Sequence, residues 1–128
     1  MSKFLLVCAG GAIGSGARYL VGSYAGAAWG TGFPWGTLTV NLVGSFLIGV
    51  IMFLGLEVGA IGPELRLFLA VGVMGGFTTY SSFNHETLAL AQRGQWGLAG
   101  AYVAATVLGA WVAGVAGLLL ARFVSSGS

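Results

Sequence analysis

"GGFTTYSSFN", Gly75 to Asn84, sets paired glycines, the hydroxyls of Thr78, Thr79, Ser81 and Ser82, and the rings of Tyr80 and Phe83 inside an apolar run. Helices that cross lipid avoid such a cluster unless it meets protein or a watery cavity. The surrounding chain shows that lipid is the solvent. Of 128 residues, 57% are hydrophobic and 6% charged, whereas soluble domains carry about 25% charged residues. No charge lies between Arg18 and Glu57, or between Arg93 and Arg122, and about 20 apolar residues suffice to cross a bilayer core. This composition is that of an integral membrane protein.

Working outward, the patterning predicts an all-α membrane protein made of one four-helix transmembrane domain over residues 1–128. The expected helices run about 3–29, 36–57, 64–92 and 95–123, separated by "GTGFP" (30–34), "GAIGP" (59–63) and "QRGQ" (92–95). The first segment continues apolar past Arg18 to Ala28, too long for a cleaved signal core, and is expected to stay as a span. Four crossings put both termini on one side. Lys3, Arg66 and Arg122 then face Arg93 across the membrane. That basic-residue bias is weak, so insertion in both orientations is permitted. Cys8 has no second cysteine to pair with inside the chain.

Glycine patterning predicts close helix packing. Gly10, Gly14, Gly22 and Gly26 recur in the first helix, and Ala101, Ala105, Gly109, Ala113 and Gly117 in the fourth. Small residues at this spacing let backbones approach where lipid supplies no hydrophobic drive. In the third helix, Gly72, Gly75 and Gly76 precede Thr78 and Thr79. Glycine costs about 1 kcal/mol against alanine in a helix interior, and the expectation is a break at 75–79. Broken backbone at membrane depth survives where it lines a cavity or is buried in protein. Its free carbonyls suit a hard cation.

The polar residues outline a route. Thr37, Asn41 and Ser45 form one stripe on the second helix, Tyr102 and Thr106 lie a turn apart on the fourth, and Thr79, Ser82, Phe83 and Glu86 share a face of the third. These are mostly hydrogen-bond donors, which favour an anion. Tyr80 and Phe83 add ring edges, which carry the positive part of the aromatic quadrupole. Glu86 is open to a packing role or a functional one, and His85 fits a residue at the lipid interface.

Three stretches together resemble the signatures of the Fluc, or CrcB, fluoride channels: "GGAIGSGARY" (10–19), "WGTLTVNLVGSFLIG" (35–49) and "GVMGGFTTYSSFNHET" (72–87). The resemblance implies an antiparallel, dual-topology homodimer in the inner (plasma) membrane, with two pores that export fluoride passively. It implies Asn41 as the pore amide, Tyr80 and Phe83 as ring edges, Ser81, Ser82 and Thr106 as polar wall, and Arg18 drawing fluoride into a vestibule. It also implies a structural sodium ion at the dimer interface, held by the carbonyls of Gly75 and Thr78. Fluoride, a second copy and membrane lipid are the expected partners, with no nucleic acid. Tyr80, where the family usually has Phe, Ala110 and His85 depart from the pattern.

Two other classes compete. A proton-coupled small four-helix multidrug-type exporter needs a buried carboxylate, for which Glu86 is the candidate, but it leaves Thr37, Asn41 and Ser45 without a task. An intramembrane protease could use Ser15 of "GSGA" (14–17) with His85 as base. Ser15 sits in a stripe better explained by packing, and no enzyme is expected.

Overall fold

The computed structural model describes residues 2–127, and among these no strand occurs. Helix α1 spans Ser2–Trp29 and α2 spans Trp35–Met52, the latter continued by a π-helical turn, Phe53–Val58. Helix α3 (Pro63–Arg66) runs through a π-helical stretch, Leu67–Val73, into α4 (Met74–Phe77). After a two-residue interruption come α5 (Tyr80–Gln92) and α6 (Trp96–Ser126). Glycines of positive φ follow the ends of these units, Gly30 (95°), Gly59 (72°) and Gly94 (77°). That left-handed conformation ends helices and is open to glycine at no steric cost.

Among the described residues, three continuous helical segments are long and apolar enough to cross a membrane: Ser2–Trp29, Trp35–Val58 and Trp96–Ser126. Their outer faces are apolar, with Leu20 and Tyr24 on α1 and Leu108, Trp111 and Phe123 on α6 exposed. In water such a surface would aggregate. In lipid it is the appropriate exterior, because each helix satisfies its own backbone groups.

The interior is divided. Helix α1 packs on the first half of the broken unit, the stretch from Leu67 to Phe77, while α2 lies along α6 and α5 docks on α6 and α2. Glycine makes the closest approaches possible. A Cβ on Gly10 would stand 2.6 Å from the Phe68 carbonyl oxygen, and one on Gly14 would run into the backbone of Val73 and Phe77. Gly22 meets Gly36, Gly49 meets Gly114, and Gly117 meets the Phe46 carbonyl. Gly26 does not join this pattern, since nothing lies within 4 Å of where its Cβ would be.

The break is narrower than the glycines predict. Gly75 and Gly76 remain helical in α4, and only Thr78 and Thr79 are extended. Gly76 is used for contact instead, because a Cβ there would stand 2.5 Å from the Gly11 carbonyl oxygen. Glycine weakened the helix locally, but packing against α1 kept it wound.

Candidate functional site

The interruption is built by two β-branched threonines whose side chains hydrogen-bond to nearby backbone groups. Thr78 has φ −82° and ψ 156°, and its Oγ1 donates back to the Met74 carbonyl at 2.9 Å. Thr79 has φ −148° and ψ 122°, and its Oγ1 accepts the Ser82 N–H at 3.2 Å, capping α5. Such local hydrogen bonding is how threonine competes with a continuous helix.

Asn41 then closes the accounting across 38 positions of sequence. Its Nδ2 donates to the Thr79 carbonyl at 2.9 Å, and its Oδ1 accepts the Thr79 N–H at 2.8 Å. Asn41 is 9% exposed. A buried backbone N–H and C=O left unpaired would each cost as much as a lost hydrogen bond, and one side-chain amide answers both. Arg18 secures the other end, its Nε donating to the Gly76 carbonyl at 3.0 Å. That carbonyl belongs to the C-terminal turn of α4, where a cation also meets the negative end of the backbone dipoles.

Two clefts meet at this junction, with Thr79 lining both. The narrower one, of ≈ 400 Å³, is lined by Asn41, Ser45, Gly75, Thr78, Tyr80, Phe83 and Thr106. Thr106 is 8% exposed, and its Oγ1 is buried without a hydrogen-bond partner. The wider cleft, of ≈ 670 Å³, is lined by Arg18, Thr37, Ser82, His85, Glu86 and Arg93 among others. Three basic or potentially basic side chains thus share one hollow with a single carboxylate.

The expected pore residues therefore fall into three groups. Asn41, Tyr80, Phe83 and Thr106 come together on the narrow cleft with Gly75 and Thr78, whereas Arg18 and Ser82 belong to the wide one. Ser81 is exposed and lines neither, its hydroxyl 3.4 Å from that of Thr79. The two rings also differ. Phe83 is 7% exposed and Tyr80 79% exposed, although they touch edge-on at 5.6 Å between centroids and 74°.

A further group joins the site. Glu86 accepts from Thr37 Oγ1 at 3.0 Å and from the Tyr102 hydroxyl at 3.1 Å. Tyr102 is fully buried and its ring lies 5.1 Å from Phe83 at 65°. The sequence held a signal for this triad. Thr37 precedes Asn41 by one helical turn and Tyr102 precedes Thr106 by one turn, so each extends a stripe already read as polar. What the stripes could not show is that both meet Glu86.

Chemically, the arrangement offers donors and ring edges with no cluster of ligands for a transition metal. Among the described residues no three His, Cys, Asp or Glu side chains gather. The site suits a small anion held by hydroxyl, amide and aromatic C–H groups.

Comparison with known proteins agrees with this chemistry. The family described as "CrcB-like protein, Camphor Resistance (CrcB)" matches residues 5–118. A protein named "Fluoride-specific ion channel FluC" from Anaeromyxobacter sp. (strain K) is 58% identical over 125 residues, 98% of this chain and 99% of the relative. One of the same name from Thermus thermophilus is 58% identical over 99 residues, 77% of this chain and 78% of its own. Another so named from Rhodospirillum centenum is 51% identical over 95% of this chain and 97% of its own.

Proposed function

We propose that this chain, which belongs to the CrcB family, is a fluoride-selective channel through which fluoride leaves the cytoplasm passively and electrogenically. The observation that carries the reading is the narrow cleft. There Thr106, whose buried hydroxyl has no hydrogen-bond partner, lines the same space as Asn41, Phe83 and Tyr80. The family is one of channels, not enzymes.

In this reading the interrupted unit from Pro63 to Gln92 makes a fourth crossing, so both termini lie on one side. Arg18 and Arg93 raise the local concentration of fluoride in the wide cleft, with Ser82 as polar wall. The ion then sheds water against hydroxyl donors and passes Asn41, Phe83, Tyr80 and Thr106, with Ser81 at the outer margin. Because the donors are already held in place, they replace hydration without reorganising.

A second copy, inserted antiparallel in the inner (plasma) membrane, completes the assembly with two pores. The residues fit a sodium ion at its axis. The Thr79 N–H that would close a helical turn on the Gly75 carbonyl is given to Asn41 instead. Gly75 is exposed, with nothing within 4 Å of a Cβ position. The carbonyls of Gly75 and Thr78 from both protomers would hold the ion, oxygen ligands being suited to hard cations. Its charge would offset dipoles that otherwise face one another.

The coupled exporter is not favoured. It needs a carboxylate free to trade a proton for substrate, and Glu86 is engaged by two hydroxyl donors. Proteoliposomes loaded with fluoride or chloride, with a potassium ionophore to release the voltage, test the proposal. Fast fluoride release with chloride retained is expected; equal release of both ions, or of neither from folded protein, would overturn it.

A further inference from the structure

The turn between α1 and α2 sets the Phe33 ring against the buried core. Pro34 has φ −79° and ψ 66°, and the Trp35 N–H donates to the Phe33 carbonyl at 2.8 Å. Those angles and that i to i+2 bond make an inverse γ-turn, which proline's ring pre-sets by holding φ. Phe33 is thereby aimed inward. It packs against the buried cluster that contains Leu38, Phe83 and Tyr102, and it also lines the wide cleft.

Its partner is specific. The Phe33 ring stands edge-on to Tyr102, 5.4 Å between centroids at 80°, and Phe83 meets Tyr102 at 5.1 Å and 65°. Tyr102 is therefore held between two rings while its hydroxyl reaches Glu86 at 3.1 Å. A phenol swings on two torsions, so the direction of its hydroxyl is decided by what packs on the ring. Trp35 backs Phe33 in turn, at 4.7 Å.

We infer that Phe33 is a positioning residue for fluoride permeation, acting through Tyr102: it holds the phenol so that its hydroxyl stays on Glu86 between the wide cleft and Phe83. The inference rests on the channel reading above. Phe33 borders the wide cleft itself, but it bears on Glu86 and Phe83 through the Tyr102 ring. The alternative is an apolar anchor for the turn, which any side chain of similar bulk would serve.

A double-mutant cycle separates the two. Full-length Phe33→Leu, Phe33→Tyr, Tyr102→Phe and Phe33→Leu/Tyr102→Phe are reconstituted, and fluoride efflux and thermal midpoint are measured. Phe33→Leu is expected to slow efflux about tenfold on the Tyr102 background and less than about twofold on Tyr102→Phe, since residues acting through one contact are not additive. Phe33→Tyr, which keeps the ring, should restore near-normal efflux. Equal loss on both backgrounds, or Phe33→Tyr as slow as Phe33→Leu, would overturn the inference.

Should Tyr102→Phe alone silence efflux, the Glu86 carboxyl stretch, assigned by Glu86→Gln, gives a second reading without flux. Phe33→Leu should move that band toward its position in Tyr102→Phe, and an unmoved band would overturn the inference. Wild-type protein that moves no fluoride defeats the channel reading instead, while the band still reports whether Phe33 sets the Tyr102–Glu86 contact.

Discussion

The side-chain amide of Asn41 takes both backbone groups of Thr79, donating to its carbonyl at 2.9 Å and accepting its N–H at 2.8 Å. One residue on α2 thus does for the interruption what a neighbouring strand would do for an extended chain. The bond to the N–H also withholds it from the Gly75 carbonyl, so the same contact that satisfies Thr79 leaves that oxygen open. Asn41 accordingly links the narrow cleft to the shape of the break.

Asn41→Asp keeps an acceptor for the Thr79 N–H but removes the donor to its carbonyl and sets an anion beside it. Leaving a buried acceptor unmet costs about 1–3 kcal/mol, so the thermal midpoint should fall. Fluoride efflux should drop at least about tenfold, since a fixed negative charge now opposes the ion. Unchanged efflux would place Asn41 away from the route.

Phe83→Ile retains apolar bulk and loses the ring that touches Tyr80 and Tyr102. Each edge contact is worth about 0.5–1.5 kcal/mol, so the protein should remain folded in detergent. Efflux should nonetheless fall sharply, and normal transport in this variant would argue against aromatic coordination of fluoride.

Thr106→Val exchanges a buried hydroxyl without a protein partner for a methyl of like shape. Removing an unsatisfied buried polar group relieves a penalty of about 1 kcal/mol or more, so stability should rise while fluoride efflux falls. These opposite signs distinguish a functional hydroxyl from a structural one. A variant that is less stable and still conducts would mean that the hydroxyl serves the fold.

Glu86→Gln preserves shape but turns an NH₂ group toward one of two hydroxyl donors. Either hydroxyl can accept from that NH₂, so both bonds persist in neutral form. Each is then worth about 0.5–1.5 kcal/mol, against about 1.5–3 kcal/mol to a charged group, and efflux measured in liposomes should decline about tenfold or more. Thr37→Val should produce a smaller decline of the same kind. If neither changes efflux, the triad lies outside the permeation route.

Gly14→Ala should be among the most damaging small substitutions, because its Cβ would enter the backbone of Val73 and Phe77. Gly26→Ala, facing open space, should be neutral or slightly stabilising, as alanine is the better helix former by about 1 kcal/mol. Thermal melting of the two variants side by side checks the contrast.

Much of this was legible in the chain itself. The scarcity of charge and the long apolar runs set lipid as the solvent, and helix follows because lipid offers backbone groups no other partner. The stripes of Thr37, Asn41 and Ser45, and of Tyr102 and Thr106, were visible because helical periodicity is local and repeats every turn. So was an interruption near the paired glycines, since propensity is a property of neighbouring residues. Tertiary structure alone decided where that interruption fell. Contact with α1 at Gly76 kept that turn wound, and Asn41, 38 positions away from Thr79, holds the break at the threonines. It also decided which polar groups are spent and which are free: Arg18 on the Gly76 carbonyl, Thr37 and Tyr102 on Glu86, and Thr106 on nothing. The reason is physical: a donor's availability depends on the acceptor that packing brings to it, and these partners come from helices far apart in sequence.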